Sequence, residues 1–217
     1  MVITGLPLIS TIHAIGHSSR TFIWSAAAAT KQGMTIVLVR HGETAGNAGL
    51  ILQRAEIPLN ERGIEQAARL AARLAELQCV HILCSDLPRA RMTAQPLAAR
   101  TGLTVEESPL LQERNFGDLR GTPYAALQEN PFGPSFAPPN GEDWAMFHAR
   151  VAQAFELIVA RRRALTGTLI VVTHGLVCRA LIERHIAPLH AGTAPVPERF
   201  DNTSVSSFDA EPPHTIR

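Results

Sequence analysis

Residues 35–47 read TIVLVRHGETAGN, and the rest of the chain is organised around this stretch. A short apolar run rich in β-branched residues stops abruptly at Arg40-His41-Gly42. Such a run predicts a buried parallel strand that ends in a glycine turn. Ligands bind at the carboxyl edge of open α/β sheets. Arg40 and His41, with Thr44 and Asn47 just beyond them, therefore predict an anion site at that edge.

The rest of the sequence alternates predicted strands and helices without an internal repeat. Periodicity and capping residues predict helices at about 60–77, 88–100, 142–163 and 176–186, and strands at about 35–39, 79–84, 103–106, 168–173 and 202–208. A short helix is expected near 124–129, and the proline-rich segment 131–141 reads as a surface loop or lid. We therefore predict an α/β fold, a three-layer α/β/α sandwich with a mostly parallel central sheet.

Composition narrows the class of protein. The chain has 217 residues, 46% hydrophobic and 18% charged, which suits one globular domain with or without an appendage. A net charge of +1 gives no indication of a nucleic-acid or membrane surface, and no apolar run reaches transmembrane length. Three cysteines without a CxxC spacing predict free thiols in a reducing, cytoplasmic compartment.

Residues 1–33 differ in composition from the rest of the chain. They contain no Asp or Glu and are rich in Ser, Thr, Ala and Ile. Transit peptides are acid-poor and Ser-rich, so a targeting peptide is one interpretation. However, the segment is poor in arginine and its apolar piece is short, which favours an N-terminal extension with Met34 as a second start. We therefore expect residues 1–33 to be an extension and residues 34–217 to form the domain that carries the anion site.

Three further segments place chemically active side chains near the same predicted edge. The strand at 79–84 leads to Arg89 at a helix start, where anions are favoured. The strand at 168–173 ends on His174-Gly175, and Glu113 lies in a glycine-containing segment. A lone histidine after a strand is more often structural than catalytic, and a lone arginine at a helix start is more often solvated. Their convergence is what indicates a functional site.

With these residues in place, the chain resembles the histidine phosphatase superfamily, in its phosphoglycerate-mutase-like branch, whose RHG motif is Arg40-His41-Gly42 here. The resemblance spans Met34 to Phe208 in the expected order. It rests on residues 38–44 with Asn47, 58–63 with Gln66 and Ala67, 85–90 with Thr93 and Ala94, 111–117 with Gly121, 139–142, 172–175 and 202–205. Together these motifs are highly specific.

The resemblance implies a covalent mechanism centred on His41. His41 would attack phosphorus in line and form a phosphohistidine, which splits one hard displacement into two easier ones. The nucleophile must be neutral, so we expect a backbone carbonyl near the glycine turn to hold its other ring nitrogen. Glu113 would protonate the leaving alkoxide and then activate water.

The same resemblance implies how the phosphoryl oxygens would be held. Arg40 and Arg89 would grip them through their planar forks, and His174 would donate from a third direction. Asn47 would add a neutral hydrogen bond. The other expected substrate-binding positions are Thr44, Gly42, Gly175, Glu142 and Gln53. No metal or other cofactor is expected, because arginines and histidines carry the charge.

Structural alternatives stay open for three of these residues. Asn47 could be a turn-former, and Glu113 could pair with Arg114 or Arg120. Glu142 could simply favour the first turn of its helix. In addition, residues 53–57 depart from the family pattern beside the pocket, so substrate recognition does not carry over.

The favoured function is a metal-independent phosphatase acting on a small phosphate monoester, with phosphate as product. Mutases of this family carry a longer insertion between the acid glutamate and the second histidine, and the shorter segment here favours hydrolysis. A phosphoglycerate mutase remains the first alternative, and a non-catalytic phospholigand-binding module the second. No nucleic-acid or membrane partner is expected, while a homodimer is left open.

Overall fold

The computed structural model describes residues 35–186, 196 and 199–209. The expectations for residues 1–33 and for Met34 lie outside this range. The strands are β1 (Thr35–Arg40), β2 (Cys79–Ser85), β3 (Val105–Ser108), β4 (Thr168–Thr173) and β5 (Val205–Asp209). The helices are α1 (Ala45–Ala48), α2 (Glu61–Leu74), α3 (Pro88–Thr101), α4 (Trp144–Arg163) and α5 (Gly175–His185), with short 3-10 turns at Pro109–Leu111, Gly117–Leu119 and Tyr124–Ala126.

The five strands form one sheet in the order β3-β2-β4-β1-β5. Strands β3, β2, β4 and β1 run parallel, and only the edge strand β5 is antiparallel to its neighbour. Arg40 lies opposite Thr173 in the β1–β4 register. The carboxyl ends of β1, β4 and β2 therefore meet at one edge, as the sequence predicts.

Helices cover both faces of the sheet and confirm the three-layer prediction. On one face α4 and α5 bury Phe147, Val151 and Leu181 against the sheet. On the other face α2 and α3 bury Leu70 and Leu97. Burial of a large aliphatic side chain contributes about 1.5–3 kcal/mol, so these two cores hold the strand ends in fixed positions. Within the described residues, no helix combines the length and apolar character that crossing a membrane requires.

Several local predictions need correction. The long helix predicted from residue 142 begins at Trp144, the strand predicted from residue 202 begins at Val205, and the helix expected near 124–129 is a 3-10 turn at Tyr124–Ala126. The predicted helix at 60–77 begins as expected, with Asn60 accepting a hydrogen bond from the Gly63 amide at 2.8 Å, but it ends at Leu74. Helical spacing predicts that Ile64 lies on the inner face of this helix, but it is 51% exposed, and the first-turn residue that packs against the loop after β1 is Gly63. The third strand begins two residues later than predicted, at Val105, where its pairing with Ile82 starts.

The predicted loop or lid at 131–141 is tied down by a buried arginine. Arg114 donates to the carbonyl oxygens of Glu142, Pro131 and Phe136 at 3.0, 3.2 and 2.6 Å. Its guanidinium also lies 3.9 Å from the centre of the Trp144 ring, a favourable cation–π geometry. Three carbonyls and an aromatic face satisfy the charge, so this segment forms a fixed wall beside the sheet edge.

Candidate active site

The ends of β1 and β4 place two histidines side by side. The backbone amide of His41 donates to the Thr173 carbonyl at 2.9 Å, which extends the parallel pairing by one residue. The His41 and His174 ring centroids are consequently 5.0 Å apart, and both side chains are buried. The sequence prediction that two strands deliver a histidine to the same edge is confirmed.

A hydrogen bond fixes the tautomer of His41. Its Nδ1 lies 2.7 Å from the Gly42 carbonyl oxygen, which only accepts, so Nδ1 carries the proton. The other nitrogen, Nε2, is then left with a lone pair. Burial, together with the charges of Arg89 and Arg40, holds the pKa of His41 well below its ordinary value. The ring is therefore neutral near pH 7 and has the electronic form of a nucleophile.

Ser85, at the end of β2, fixes the tautomer of His174. Its hydroxyl oxygen lies 2.8 Å from His174 Nε2, and no other described group accepts its proton. The hydroxyl therefore donates to Nε2, and the neutral ring carries its own proton on Nδ1. That Nδ1 is buried without a partner among the described residues. Burial and the neighbouring Arg89 lower the pKa of His174 well below its ordinary value.

Two buried arginines supply positive charge beside the histidines. Arg40 donates to the Phe200 carbonyl, and Arg89 donates to the Arg54 and Ala55 carbonyls at 3.3 and 3.4 Å. Neither forms an ion pair with a described carboxylate, and the Nε atoms of both lack a partner within the described ranges. Burial lowers the pKa of Arg89 to about 10, so the group stays charged at neutral pH. Buried charges without counter-ions are costly, which marks this place as an anion site.

Glu113 lies in the same cavity without an ion-pair partner among the described side chains. Its two carboxyl oxygens accept hydrogen bonds from the backbone amides of Arg114 and Leu176, at 3.0 and 3.3 Å. Burial is the largest influence and raises the pKa of Glu113, while the two amides, Arg89 and Arg40 act in the opposite direction. The alternative that it pairs with the Arg114 or Arg120 side chain is not what the structure shows. A raised pKa is what a general acid requires.

Arg40, His41, Arg89 and Glu113 line one cavity of about 70 Å³, whereas the predicted catalytic residue His174 lies behind His41 and is not part of its lining. Pockets for drug-sized ligands typically measure roughly 300–1,000 Å³, so this cavity suits a phosphoryl group and the first atoms of its alcohol. The predicted site residues that line it are Arg40, His41, Asn47, Gln53, Arg89 and Glu113. A wider and more open groove of about 560 Å³ lies between α4 and α5, with Trp144 and His148 in its wall. None of the predicted site residues lines this groove.

Asn47 acts as a turn-former and also lines the cavity. It closes a capping box with Thr44 at the start of α1, as a turn-forming residue would. It also lines the cavity, and its Oδ1 accepts a hydrogen bond from Asn202 at 3.1 Å. Because Oδ1 is occupied, Nδ2 remains as a donor for a ligand.

Four predicted substrate-binding residues do not line the cavity. The Gly42 amide donates to Thr93 Oγ1 at 3.0 Å, and a Cβ here would lie 2.7 Å from the Gly63 carbonyl oxygen. Thr44 caps α1 and donates to Gln53 at 2.8 Å. Gly175 leaves room for Arg40, whose Nε would lie 3.4 Å from an added Cβ. Gly42, Gly175 and Thr44 therefore support the backbone and side chains that line the cavity and do not line it themselves.

Glu142, the fourth, is held by an arginine that the sequence reasoning missed. Arg150 on α4 bonds both Glu142 carboxyl oxygens at 2.7 Å. It also donates to the carbonyls of Leu110 and Gln112 at 2.9 and 2.7 Å, directly before Glu113. The available signal was an arginine at the inward spacing of α4, one turn after Phe147. Arg150 thus anchors the backbone that carries the acid candidate.

No group of three His, Cys, Asp or Glu side chains in the part of the chain that the structure describes is arranged to hold a metal ion.

Ser85, like Arg150, is a site residue that the sequence did not predict. A serine at the end of a strand gives no sign of which side chain it will contact.

Comparisons with known proteins converge on one family. The family model described as the histidine phosphatase superfamily (branch 1) matches residues 36–215. The chain is 36% identical over 187 residues to phosphoglycerate mutase-like protein 4 of Arabidopsis thaliana, covering 80% of this chain and 78% of the relative. It is likewise 36% identical over 190 residues to a metal-independent phosphoserine phosphatase of the same plant, covering 81% and 79%.

A solved structure agrees with these relatives. The mycobacterial glucosyl-3-phosphoglycerate phosphatase, in complex with VO3, superposes with a TM-score of 0.71 at 26% identity. The match covers 84% of this chain and 96% of that one. The two proteins therefore share their fold.

Proposed function

We propose that this chain, which belongs to branch 1 of the histidine phosphatase superfamily and is a histidine phosphatase, hydrolyses a small phosphate monoester without a metal ion. The reaction would proceed through a phosphohistidine on His41. The observation that carries the proposal is the state of His41. Its Nδ1 proton is committed to the Gly42 carbonyl at 2.7 Å, and its ring lies beside two buried arginines that have no counter-ion among the described residues.

In the first step, the Nε2 lone pair of His41 attacks phosphorus, and the bond from phosphorus to the alcohol oxygen breaks. Glu113 gives its proton to the departing oxygen, so the alcohol leaves neutral. In the second step, Glu113 takes a proton from water as the water oxygen attacks phosphorus. The phosphorus–nitrogen bond then breaks, and inorganic phosphate and neutral His41 are regenerated. Proton transfer of this kind contributes roughly 10²–10⁴ in rate.

Charge on the transferring phosphoryl group is balanced by the protein. Arg40 and Arg89 present guanidinium groups, the Nδ1–H of His174 adds a neutral donor, and the Asn47 amide adds another. Such preorganised donors act strongly in a water-poor site because they need no reorganisation during the reaction. The residues present thereby supply the role that a metal ion plays in other phosphatases.

The substrate is proposed to be small for two reasons. The cavity around His41 encloses about 70 Å³. In addition, relatives of this chain are named for phosphoserine and for glucosyl-3-phosphoglycerate. A mutase reaction is the competing proposal, supported by a relative named phosphoglycerate mutase-like. The segment from Glu113 to His174 contains only short turns and α4 before β4, which favours hydrolysis.

A panel of phosphate monoesters assayed in EDTA tests this proposal. We expect phosphate release by the wild type, loss of release in His41→Asn, and retention in His81→Asn. His81 is a matched control because it is a strand histidine that pairs with Glu106 outside the cavity. Isomerisation of 3-phosphoglycerate primed with bisphosphoglycerate, without phosphate release, would point to the mutase instead. A wild type that binds phosphate but hydrolyses no ester would support the binding module.

A further inference from the structure

The mouth of the cavity is built by two short segments that pair with each other. Leu52 and Thr122 are joined by a hydrogen bond of 3.0 Å, and the Gly121 amide donates to the Leu52 carbonyl at 2.6 Å. Gly121 has a positive φ of 95°, and a Cβ there would lie 2.8 Å from Arg54 Nε. The Arg54 side chain therefore crosses Gly121, next to Arg120. The Arg54 guanidinium thus lies against the backbone of the residue that follows Arg120.

Arg120 lines the cavity but has no partner among the residues that the structure describes. It shares the cavity wall with Arg40, Arg89 and Glu113, yet within those residues it forms no ion pair or side-chain hydrogen bond. Burial is the largest cause that lowers the pKa of Arg89, Glu113 acts in the opposite direction, and the charge of Arg120 lowers it further. The arginines that support the site differ in this respect, since Arg114 and Arg150 are fully engaged with carbonyls and Glu142. Arg120 is therefore available to a ligand.

The charges of a bound phosphate ester leave Arg120 unmatched. A phosphate monoester is close to a dianion at neutral pH, and Arg40 and Arg89 offset two negative charges. Glu113 is neutral when it holds the proton for the leaving group. A third guanidinium in a partly buried cavity calls for a third negative charge, because an unpaired charge away from water is unfavourable. A carboxylate matches the planar fork of one guanidinium.

Another part of the cavity wall is aromatic. Phe132 contacts both Phe116 and Tyr124 edge-on, with ring centroids 6.0 and 5.5 Å apart. All three line the cavity, and the Phe132 and Tyr124 side chains are 40% and 36% exposed. The alcohol portion of a substrate would pass between this apolar wall and Arg120. A short carbon skeleton therefore suits the space better than a polar sugar chain.

We propose that Arg120 binds a carboxylate on the alcohol portion of the substrate. The substrate class is then a small phosphorylated hydroxy acid, with its carboxylate a few bonds from the ester oxygen. Arg120 is a specificity-determining residue in this account, and the inference rests on the proposed phosphatase function.

Two matched pairs of esters test the inference with the wild type alone. The first pair is 3-phosphoglycerate and glycerol 1-phosphate, and the second is O-phosphoserine and O-phosphoethanolamine. Within each pair the carboxylate is replaced or missing. We expect kcat/KM to favour the carboxylated ester by about tenfold or more, since a charge-assisted hydrogen bond is lost with the carboxylate. Equal kcat/KM values within both pairs would overturn the inference.

Variants then assign the preference to Arg120. Arg120→Gln should bring the within-pair ratio close to one, and Arg120→Glu should reverse the preference in favour of phosphoethanolamine. Arg73→Gln is the matched control, because Arg73 is an exposed arginine on α2 away from the cavity, and its ratio should equal that of the wild type. If Arg120→Gln slows both members of a pair equally, Arg120 serves the phosphoryl group and the inference is wrong.

p-Nitrophenyl phosphate separates the carboxylate site from the phosphatase function. If the wild type hydrolyses it but shows no preference within the pairs, only the carboxylate site fails. If the wild type hydrolyses neither it nor any of the four esters, the proposed function fails and this inference fails with it. If circular dichroism shows that an Arg120 variant does not fold, the within-pair kcat/KM ratios of the wild type still test whether the enzyme prefers the carboxylated esters.

Discussion

The rings of His41 and His174 lie 5.0 Å apart, centroid to centroid, although the two residues follow different strands and are far apart in the sequence. The cause is the register of β1 against β4, which pairs Arg40 with Thr173 and so brings the next residue of each strand to the same depth. Sheet hydrogen bonds are harder to shift than loop contacts, and the pair is therefore held rigidly. Catalysis by positioned groups depends on such rigidity.

Removing the Ser85 hydroxyl should slow the reaction through His174. In Ser85→Ala, Nε2 loses its donor, and the proton is no longer directed to Nδ1. An unsatisfied buried group costs about 1–3 kcal/mol, so we expect kcat to fall by roughly five- to 150-fold. Nitrogen-15 NMR of the imidazole rings should show a changed tautomer at His174. Ser108→Ala is the control, because Ser108 is another buried strand-end serine whose hydroxyl bonds only backbone. An unchanged tautomer with a reduced rate would assign Ser85 a packing role instead.

Arg89 should not tolerate lysine. Lysine keeps the charge but lacks the planar fork that grips a phosphoryl group and reaches the Arg54 and Ala55 carbonyls. We expect Arg89→Lys to lower kcat by about 10²–10³, as for loss of one preorganised donor. Steady-state assays should show almost no effect for Arg91→Lys, since Arg91 is exposed on the same helix and pairs with Glu107. Wild-type kcat in Arg89→Lys would show that charge alone suffices.

The effect of Glu113→Gln should depend on the leaving group. An alkyl alkoxide needs a proton as it departs, whereas p-nitrophenolate does not. We expect phosphoenzyme formation to slow by roughly 10²–10⁴ for alkyl phosphates and much less for p-nitrophenyl phosphate, measured by single-turnover kinetics. Glu107→Gln, at an exposed glutamate on β3, is the control. Equal losses for both leaving groups would argue against the acid role.

The activity should be shifted toward acidic pH. His41 has a pKa well below its ordinary value because of burial, Arg89 and Arg40, so it stays neutral as the pH falls through the usual histidine range. Glu113 has a raised pKa because of burial, so it keeps its proton above the usual glutamate range and loses it as the pH rises further. We therefore expect kcat/KM to persist below about pH 6.5 and to fall on the alkaline side, with Glu113→Gln flattening the alkaline limb. A collapse of kcat/KM between about pH 7 and 6 would contradict a neutral His41.

The sheet and its catalytic edge were accessible to sequence reasoning because they depend on local signals. Apolar runs that stop at Arg-His-Gly and at His-Gly identify β1 and β4, and Pro88 marks the start of α3. The same runs explain why His41, His174, Arg40 and Arg89 were placed at one edge.

The remaining features depend on contacts between distant segments. Nothing local in the sequence indicates that Ser85 forms a hydrogen bond with His174. The sequence likewise gives no sign that Arg150 pairs with Glu142, which does not line the cavity. Ile64 illustrates the same limit, because helical spacing predicts that it lies inside, whereas it is exposed and Gly63 is the first-turn residue that packs against the loop after β1. Nothing local in the sequence indicates that Arg120 lines the cavity either.

The central claim is that His41 carries the phosphoryl group between the two steps. Glu113→Gln mixed with p-nitrophenyl phosphate and quenched in alkali should accumulate a covalent adduct, because the good leaving group permits the first step while water activation is impaired. Tandem mass spectrometry should then find one phosphoryl group on the imidazole of His41, and none after the same treatment of the double variant His41→Asn, Glu113→Gln. A phosphoryl group on another residue, or burst-free turnover without any adduct, would contradict the account.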